Sequence, residues 1–251
     1  MPDFNREEKK YRLGSLQAVE LVNYLQDFIP FEKRTEELIT NNRSVYFDDN
    51  NFSLYSLSLD KNAIHYKLRL RDYGYKNKFN KTAFVELKEK EHGVSRKHRF
   101  LIQKKDLQNF ITGKKLDKKI NRINKKKDPT PSMKIIEDFM EQGSYQPIMV
   151  TEYNRISFEI QMETRVRITL DRNVTYFLID FPFSYKEFSK KYEQSRVKEI
   201  PGCILETKID NPNLTPDWLL NGIKQFGLKE TSFSKYTTGI KSILDKFRII
   251  L

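Results

Sequence analysis

Residues 65–75 read HYKLRLRDYGY, and the alternation within this stretch decides the fold class. Lys67, Arg69 and Arg71 alternate with two leucines, which is the period of a β-strand with one charged and one apolar face. Three cations on one face of a strand repel one another unless an anion lies across them. The stretch therefore allows two interpretations, a solvated face or the lining of a site for a polyanion.

The composition is that of a globular protein with an anionic partner. The chain has 251 residues, of which 38% are hydrophobic and 32% charged, with a net charge of +12. This basic balance favours nucleic acid, a membrane surface or a phosphate compound as the partner. A single cysteine excludes an internal disulfide, and three scattered histidines argue against a typical zinc site.

No stretch of the sequence has the length and apolarity of a membrane span. The first residues lack the apolar core of a signal peptide, and no run approaches the roughly 18 apolar residues that a spanning helix needs. The sequence therefore predicts no membrane span and a cytoplasmic location.

Strand-like segments dominate the chain, with helical patterns at its start, middle and end. Their number, about eight, without regular β-α-β alternation, predicts an α+β fold in which helices cover an antiparallel sheet or closed barrel. Residues 1–251 are interpreted as one domain with a basic helical insertion at about 104–143. Neither of the glycine-rich phosphate-binding motifs, G-x-x-x-x-G-K-[ST] and G-x-G-x-x-G, occurs in the sequence. Phosphate would therefore be held by side chains.

The charged alternation recurs in several predicted strands. For one strand, a solvated face is the ordinary explanation, but recurrence of mainly cationic faces favours an anion site. Glutamates among the cations suggest that a divalent metal bridges carboxylate and phosphate oxygens. The side chains that share such faces are Glu86 and Lys88, Lys97 and Arg99, Tyr153 and Arg155, Arg165, Arg167 and Asp171, and Glu206 and Lys208.

Taken in order, these motifs resemble the catalytic domain of the VTC family of polyphosphate polymerases. That family belongs to the triphosphate tunnel metalloenzymes, or CYTH proteins. The resemblance covers roughly residues 6 to 240 and rests on the order and spacing of the motifs. They are SVYFDD, LYSL, HYKLRLRDYGY, VELKEK, VSRKHRF, YNRISFE, VRITLDR, ILETKID and SFSKY.

The resemblance implies a closed antiparallel eight-stranded β-barrel with flanking helices and a basic lumen. It implies transfer of the γ-phosphate of ATP to a growing polyphosphate chain, with Mn²⁺ (or Mg²⁺) as cofactor. ATP and polyphosphate, or triphosphate and pyrophosphate, are the expected ligands, and nucleic acid is not expected. A membrane protein or an acidic protein is a possible partner, and the oligomeric state stays open.

The resemblance also assigns roles to individual residues. Glu206 would bind the metal, and Lys67 is placed in the lumen by alternation alone. Glu86 and Asp48 are interpreted as residues that hold a basic neighbour in place. The expected catalytic residues are Arg69, Arg71, Lys88, Arg155 and Arg167. The expected phosphate-binding residues are Lys10, Lys67, Lys97, Arg99, Lys208 and Lys235, with Tyr153 and Ser234 as accessory contacts.

The sequence departs from the family pattern at two positions. Arg6 stands at the first glutamate of the superfamily's E-x-E-x-K motif, although Glu8 and Lys10 are present. Ser232 stands where VTC polymerases tend to carry a lysine, which weakens the case for chain elongation. Neither the phosphate-sensing SPX domain nor the membrane helices of the eukaryotic complexes is found, which predicts a stand-alone tunnel domain.

Two alternative functions stay open. One is a tunnel-type tripolyphosphatase or nucleoside triphosphatase, and the other a non-catalytic module that binds polyphosphate or nucleic acid. A binding module predicts an open basic surface with interleaved aromatic residues. The basic segment 114–127 is interpreted either as a solvated insertion or as a docking surface for polyphosphate, an acidic partner or a membrane.

Overall fold

The structure is a computed structural model, and it describes residues 6–29, 39–75, 78–92, 94–112, 114, 128–179 and 195–247. Strands make up most of the regular structure, as the period-two alternation predicts. They are β1 (Glu7–Leu13), β2 (Ile39–Asp48), β3 (His65–Tyr75), β4 (Lys78–Phe79), β5 (Thr82–Glu91), β6 (Val94–Gln103), β7 (Gln146–Gln161), β8 (Arg165–Leu178), β9 (Arg196–Glu199) and β10 (Cys203–Ile209).

One mainly antiparallel sheet contains all of these strands. They are hydrogen-bonded in the order β1-β10-β8-β7-β2-β3-β5-β6, with β4 on β3 and β9 on β8. The α+β fold class is therefore confirmed, and the described residues form a ten-stranded sheet with eight strands on its main path. In the residues that the structure describes, this path is open, with β1 and β6 at its ends, so closure into a barrel is not confirmed and stays a prediction.

By their sequence pattern, QPIMVTEY and RISFEIQ predict two separate strands, as do TRVRITLD and VTYFLIDF, but each pair forms one long strand. The segments on either side of residue 153 form the 16-residue β7, and those on either side of residue 173 form the 14-residue β8. Asn173 adopts a left-handed φ of 55° inside β8, a conformation that asparagine tolerates better than most residues. The polar residues in these stretches therefore continue the strands instead of ending them.

Helices flank the sheet segments along the chain, and the described residues form 3₁₀ turns at Lys104–Asp106 and Pro212–Leu214. No helix of the described residues is long and apolar enough to cross a membrane. The helices are α1 (Ser15–Gln26), α2 (Ser53–Leu57), α3 (Leu107–Ile111), α4 (Thr130–Glu141), α5 (Asp217–Gln225) and α6 (Lys235–Phe247).

Two predictions from helical patterns need correction: that SMKIIEDFMEQG is a helix with Ser132 as its N-cap, and that Leu16 and Val19 belong to an apolar stripe of residues 15–29. Helix α4 begins at Thr130, and Asp128 Oδ1 accepts a hydrogen bond from the Thr130 N–H, so Ser132 is not the N-cap that the sequence suggested. In α1, Leu21 and Leu25 are buried, but Leu16 and Val19 of the predicted apolar stripe are 83% and 60% exposed. An apolar residue at helical spacing can still point to solvent, because the buried face covers only part of the circumference.

The chain divides into two compact units. The first unit comprises residues 1–41, 153–174 and 199–234, and the second comprises residues 42–152, 175–198 and 235–251. Each has its own apolar core: α1 packs with β1, β8 and β10 in the first, and α3 and α4 pack with β3, β5 and β6 in the second. The interpretation of the chain as a single domain stays a prediction.

Candidate functional site

A group of six basic side chains and one glutamate lies on one face of the β3-β5-β6 sheet segment in the second unit. Antiparallel register places Arg69 opposite Glu86 and Glu86 opposite Arg99. We call this group the Glu86 cluster. Its members are Lys67, Arg69, Arg71, Glu86, Lys88, Lys97 and Arg99.

Glu86 lies at the centre of this cluster and is 2% exposed. Arg69 donates from Nε and Nη2 to Glu86 Oε2 at 2.9 and 2.7 Å, while Lys97 Nζ lies 2.5 Å from Oε1. Burial raises the pKa of Glu86, but the charges of Arg69 and Lys97 outweigh it and hold the pKa at about 2. The prediction that Glu86 holds basic neighbours is confirmed.

The cations of the Glu86 cluster outnumber its single carboxylate. Burial lowers the pKa of Lys97, and the nearby charges of Arg69 and Arg71 lower it further. The charge of Glu86 raises the pKa of Lys97, and the resulting value is about 8. Arg99 also lies 3.9 Å from Glu86 Oε1. A face that gathers several basic side chains is the kind of surface that attracts polyanions.

Neighbouring side chains orient the arginines of the Glu86 cluster. Arg69 Nη1 donates to the Tyr46 hydroxyl at 3.2 Å, and Arg71 Nη2 donates to Asn42 Oδ1 at 3.2 Å. The Arg99 guanidinium lies 4.9 Å from the centre of the Phe84 ring, within the range of a cation–π contact. These contacts fix guanidinium planes in the way that bidentate phosphate binding requires.

A second group of charged side chains lies in the first unit, and we call it the Glu206 cluster. Register places Lys10 opposite Glu206 and Glu8 opposite Lys208, which in turn lies opposite Arg167. Its five basic and four acidic members nearly balance. They are Glu8, Lys10, Arg155, Glu159, Arg165, Arg167, Asp171, Glu206 and Lys208.

Arg155 and Asp171 form a two-bond ion pair in the Glu206 cluster. Arg155 Nε and Nη2 donate to the two Asp171 oxygens at 2.6 and 2.8 Å. Burial lowers the pKa of Arg155, but Asp171 outweighs burial and raises it. The guanidinium also lies 5.3 Å from the centre of the ring of Tyr153, which is buried. Arg155 is therefore held in one orientation.

Glu206 lies beside a second carboxylate, that of Glu8. Lys208 Nζ contacts Glu206 Oε1 and lies 2.9 Å from Glu8 Oε2, so one ammonium serves both. Burial raises the pKa of Glu206, but Lys208 and Arg155 hold it below its ordinary value, against the opposing charge of Glu8. The carboxylate is therefore ionised at neutral pH, as a metal ligand must be.

The donor set around Glu206 suits only part of a Mn²⁺ or Mg²⁺ shell. Hard divalent cations prefer carboxylate oxygens and complete their shell with water and phosphate oxygens. Among the described residues, no group of three or more metal-binding side chains lies close enough to hold an ion. Glu206, with Glu8 beside it, therefore fits a metal that shares its remaining positions with a phosphate ligand.

Lys10 connects the Glu206 cluster to the segment that precedes α6. Its Nζ lies 3.1 Å from Glu8 Oε1 and donates to the Phe233 carbonyl, and its own carbonyl accepts from the Thr231 N–H. Ser234 and Lys235 follow directly, with Lys235 as the first residue of α6. Of segment 114–127, only Lys114 is among the described residues, so its predicted role lies outside them.

Several expectations about the site change with the structure. Asp48 does not hold a basic neighbour among the described residues, because its oxygens accept backbone N–H bonds and the Tyr236 hydroxyl. Sequence reasoning missed the role of Asp171 as the partner of Arg155, and it missed Glu159, which binds Arg165 at 2.5–2.7 Å. Glu159 shares the period-two face of Arg155, which is the signal that could have identified it.

Comparison with known proteins identifies one family and one fold. A family model of the VTC domain matches residues 5–244. Vacuolar transporter chaperone complex subunit 2 of Schizosaccharomyces pombe is 26% identical over 82% of this chain. Subunit 4 of the same organism is 25% identical over 96% of this chain, and subunit 4 of Trypanosoma cruzi is 24% identical over 80%. The matched regions cover 32%, 38% and 28% of these relatives, about a third of their length.

Two solved structures share the fold. One, from Bacillus halodurans, is described as an adenylate cyclase candidate and aligns over 91% of this chain and 95% of its own, with a TM-score of 0.52 and 13% identity. The other is a Hippeastrum protein described as an adenylyl cyclase candidate with a dominant triphosphatase activity. It aligns over 93% of this chain and 94% of its own, with a TM-score of 0.51 and 14% identity.

Proposed function

This chain belongs to the VTC domain family, and from that premise we propose that it is a metal-dependent phosphotransferase. The proposed reaction moves the γ-phosphate of ATP to a growing polyphosphate chain. Closure of the sheet into a tunnel, a cytoplasmic location and assembly with other proteins, as in the complexes to which its relatives belong, are part of the same proposal.

The observation that carries the proposal is the gathering of six basic side chains around one buried carboxylate in the Glu86 cluster. Burial lowers the pKa of Lys97 to about 8, against the opposing charge of Glu86. A phosphate chain would place negative charge along these strands, opposite the basic side chains. An ordinary solvated face would instead mix signs across neighbouring strands.

The chemistry needs little more than positioning and positive charge. The transition state of phosphoryl transfer is loose and spreads charge over the equatorial oxygens. Preoriented guanidinium groups stabilise that charge without reorganising. In the Glu86 cluster, Arg69 and Arg71 are the groups that we expect to bind phosphate. In the Glu206 cluster, taken by itself, they are Arg155 and Arg167. When bound at Glu206, a divalent metal would supply further charge neutralisation.

A phosphate acceptor is already anionic, so the polymerase needs no general base. Hydrolysis, by contrast, needs a carboxylate that orients water. The pairing of Glu8 with Glu206 is the one feature that favours a triphosphatase as a second candidate, because a carboxylate beside the metal ligand could serve that purpose. The loss of the first motif glutamate to Arg6 reduces the number of carboxylates and favours the polymerase.

One assay separates the candidates. The purified protein is incubated with ATP and Mn²⁺ or Mg²⁺, with and without a polyphosphate primer, and the products are resolved by gel and by phosphate release. Long chains that disappear in Glu206→Gln support the polymerase, and free phosphate alone supports the triphosphatase. Intact ATP under every condition rejects both and leaves a binding module.

Strand β6 offers a matched pair of variants for this assay. Arg99 and Arg96 lie on the same strand, are 53% and 55% exposed, and point to opposite faces. Arg99→Gln and Arg96→Gln remove the same charge, so only position separates them. We expect Arg99→Gln to lower activity and Arg96→Gln to retain it. Equal losses would mean that net charge, and not the Glu86 cluster, governs activity.

A further inference from the structure

Two tyrosines and a buried aspartate form a continuous chain that ends at Arg69. Asp48 Oδ2 accepts a hydrogen bond from the Tyr236 hydroxyl. The Tyr236 and Tyr46 rings pack with their centres 5.3 Å apart, and the Tyr46 hydroxyl accepts from Arg69 Nη1 at 3.2 Å. All four residues belong to the second unit.

Asp48 is fixed more firmly than a helix cap requires. It is 0% exposed, and its two oxygens accept four hydrogen bonds, three from the backbone N–H groups of Asp49, Leu54 and Tyr55 and one from Tyr236. The N–H groups account for its role at the start of α2. The Tyr236 bond is additional, and it ties the carboxylate to the first turn of α6, directly beside Lys235.

The orientation of Arg69 depends on contacts at both edges of its guanidinium. Glu86 holds the Nε and Nη2 edge, and Tyr46 holds Nη1. Glu86 is in turn fixed by Lys97, whereas the Tyr46 ring packs on Tyr236, whose own hydroxyl is held by Asp48. A shift of Tyr236 therefore moves one of the two supports of Arg69.

We propose that Tyr46, Tyr236 and Asp48 are positioning residues that orient Arg69 for phosphate binding. This inference rests on the proposed function, because it assigns the three residues to the same phosphate site. None of them needs to touch phosphate. Their effect arises because a guanidinium that binds phosphate in a bidentate way loses affinity when its plane is misplaced by a fraction of an ångström.

A double-mutant cycle tests the chain. Tyr46→Phe removes the bond to Arg69, and Tyr236→Phe removes the bond to Asp48, while both keep their rings. Affinity for inorganic tripolyphosphate is measured by isothermal titration calorimetry. Each variant is expected to bind roughly 3- to 10-fold more weakly, the range of one net hydrogen bond. Because both substitutions act through the orientation of Arg69, their effects are not expected to add. The double variant should bind tripolyphosphate about as weakly as the single variant with the lower affinity.

A matched control separates positioning from general loss of stability. Tyr24→Phe removes the 2.7 Å bond from Tyr24 to the Trp218 carbonyl in the first unit, and we expect it to bind tripolyphosphate like the wild type. Wild-type affinity in Tyr236→Phe, or a double variant whose loss is the product of the single losses, would overturn the proposal.

A second readout does not depend on phosphate. If the wild type binds no tripolyphosphate, the proposed function fails, and the positioning of Arg69 is then read from its Nε–H signal in a ¹H–¹⁵N spectrum. Tyr46→Phe and Tyr236→Phe are expected to shift this signal, and Tyr24→Phe to leave it in place. An Arg69 signal that is unchanged in Tyr236→Phe would refute the positioning itself.

Discussion

Arg155 and Asp171 face each other on neighbouring strands, joined by two hydrogen bonds of 2.6 and 2.8 Å. The Arg155 side chain is 13% exposed and that of Asp171 is 1% exposed. A cation that was assigned to phosphate is therefore also part of a buried ion pair. The function proposed for Arg155 depends on a carboxylate that keeps it oriented, and this dependence can be measured.

Asp171→Asn is expected to lower the free energy of unfolding by about 3–5 kcal/mol, because it leaves the Arg155 charge buried without its counter-ion. Urea denaturation followed by circular dichroism measures the loss. Glu159→Gln is the control, since its partner Arg165 is 40% exposed, and it should cost less than about 1 kcal/mol. Equal losses in the two variants would show that burial does not govern the strength of these pairs.

Glu86 is expected to make the protein sensitive to acid. Its pKa lies at about 2 in the folded protein, against an ordinary value of 4.5, so the stability that it contributes is present above pH 4.5 and is lost as the pH falls towards 2. The contribution is about 3 kcal/mol for a shift of this size. Urea midpoints measured between pH 2 and 6 should vary less steeply in Glu86→Gln than in the wild type. A parallel pH profile in both would contradict the shift.

Lys97 is expected to make phosphate affinity fall at alkaline pH. Its pKa is lowered from 10.5 to about 8, and water at its side chain, which is 42% exposed, screens part of this shift. The ammonium is therefore expected to lose its proton between pH 8 and 10.5, and affinity for tripolyphosphate to weaken over that window. In the unbound protein, burial of the charged Lys97 ammonium lowers the free energy of unfolding. This loss is fully present below pH 8 and is relieved as the pH rises from 8 to 10.5, because the folded protein releases the proton first.

Calorimetric titrations with tripolyphosphate from pH 7 to 10 test this expectation. Lys97→Arg keeps its charge throughout the range, since the guanidinium pKa lies above about 12, and should flatten the profile. If the wild type and Lys97→Arg lose affinity in parallel, a group other than Lys97 is responsible.

Gly202→Ala is expected to destabilise the first unit more than Gly227→Ala. Both glycines have positive φ, 78° and 56°, but a Cβ at Gly202 would lie 2.2 Å from the Leu13 carbonyl oxygen, whereas one at Gly227 meets nothing within 4 Å. Gly227→Ala should cost about 1–2 kcal/mol, the conformational penalty alone. Gly202→Ala should cost more, because the backbone of β1 must also move. Thermal melting of both variants measures the difference.

The alternation of side chains was readable from the sequence. In β3, β5 and β6, a strand's period of two places Arg69, Glu86 and Arg99 on one face whatever the neighbours are. The family resemblance was also readable, because it depends on the order of such motifs. Strand ends and caps were harder: β7 and β8 each continue through polar residues, and α4 begins two residues before Ser132.

Tertiary structure alone decided which charges meet. The sequence suggested that the cations on one face need an external anion, but Glu86 lies among them and relieves part of their repulsion, while Asp171 neutralises Arg155. Asp48, expected beside a cation, instead bonds with Tyr236, which lies 188 residues further along the chain. Periodicity determines the face on which a side chain lies, because it is a property of the backbone. The partner of that side chain depends on strand register and packing, which are set only when distant segments come together.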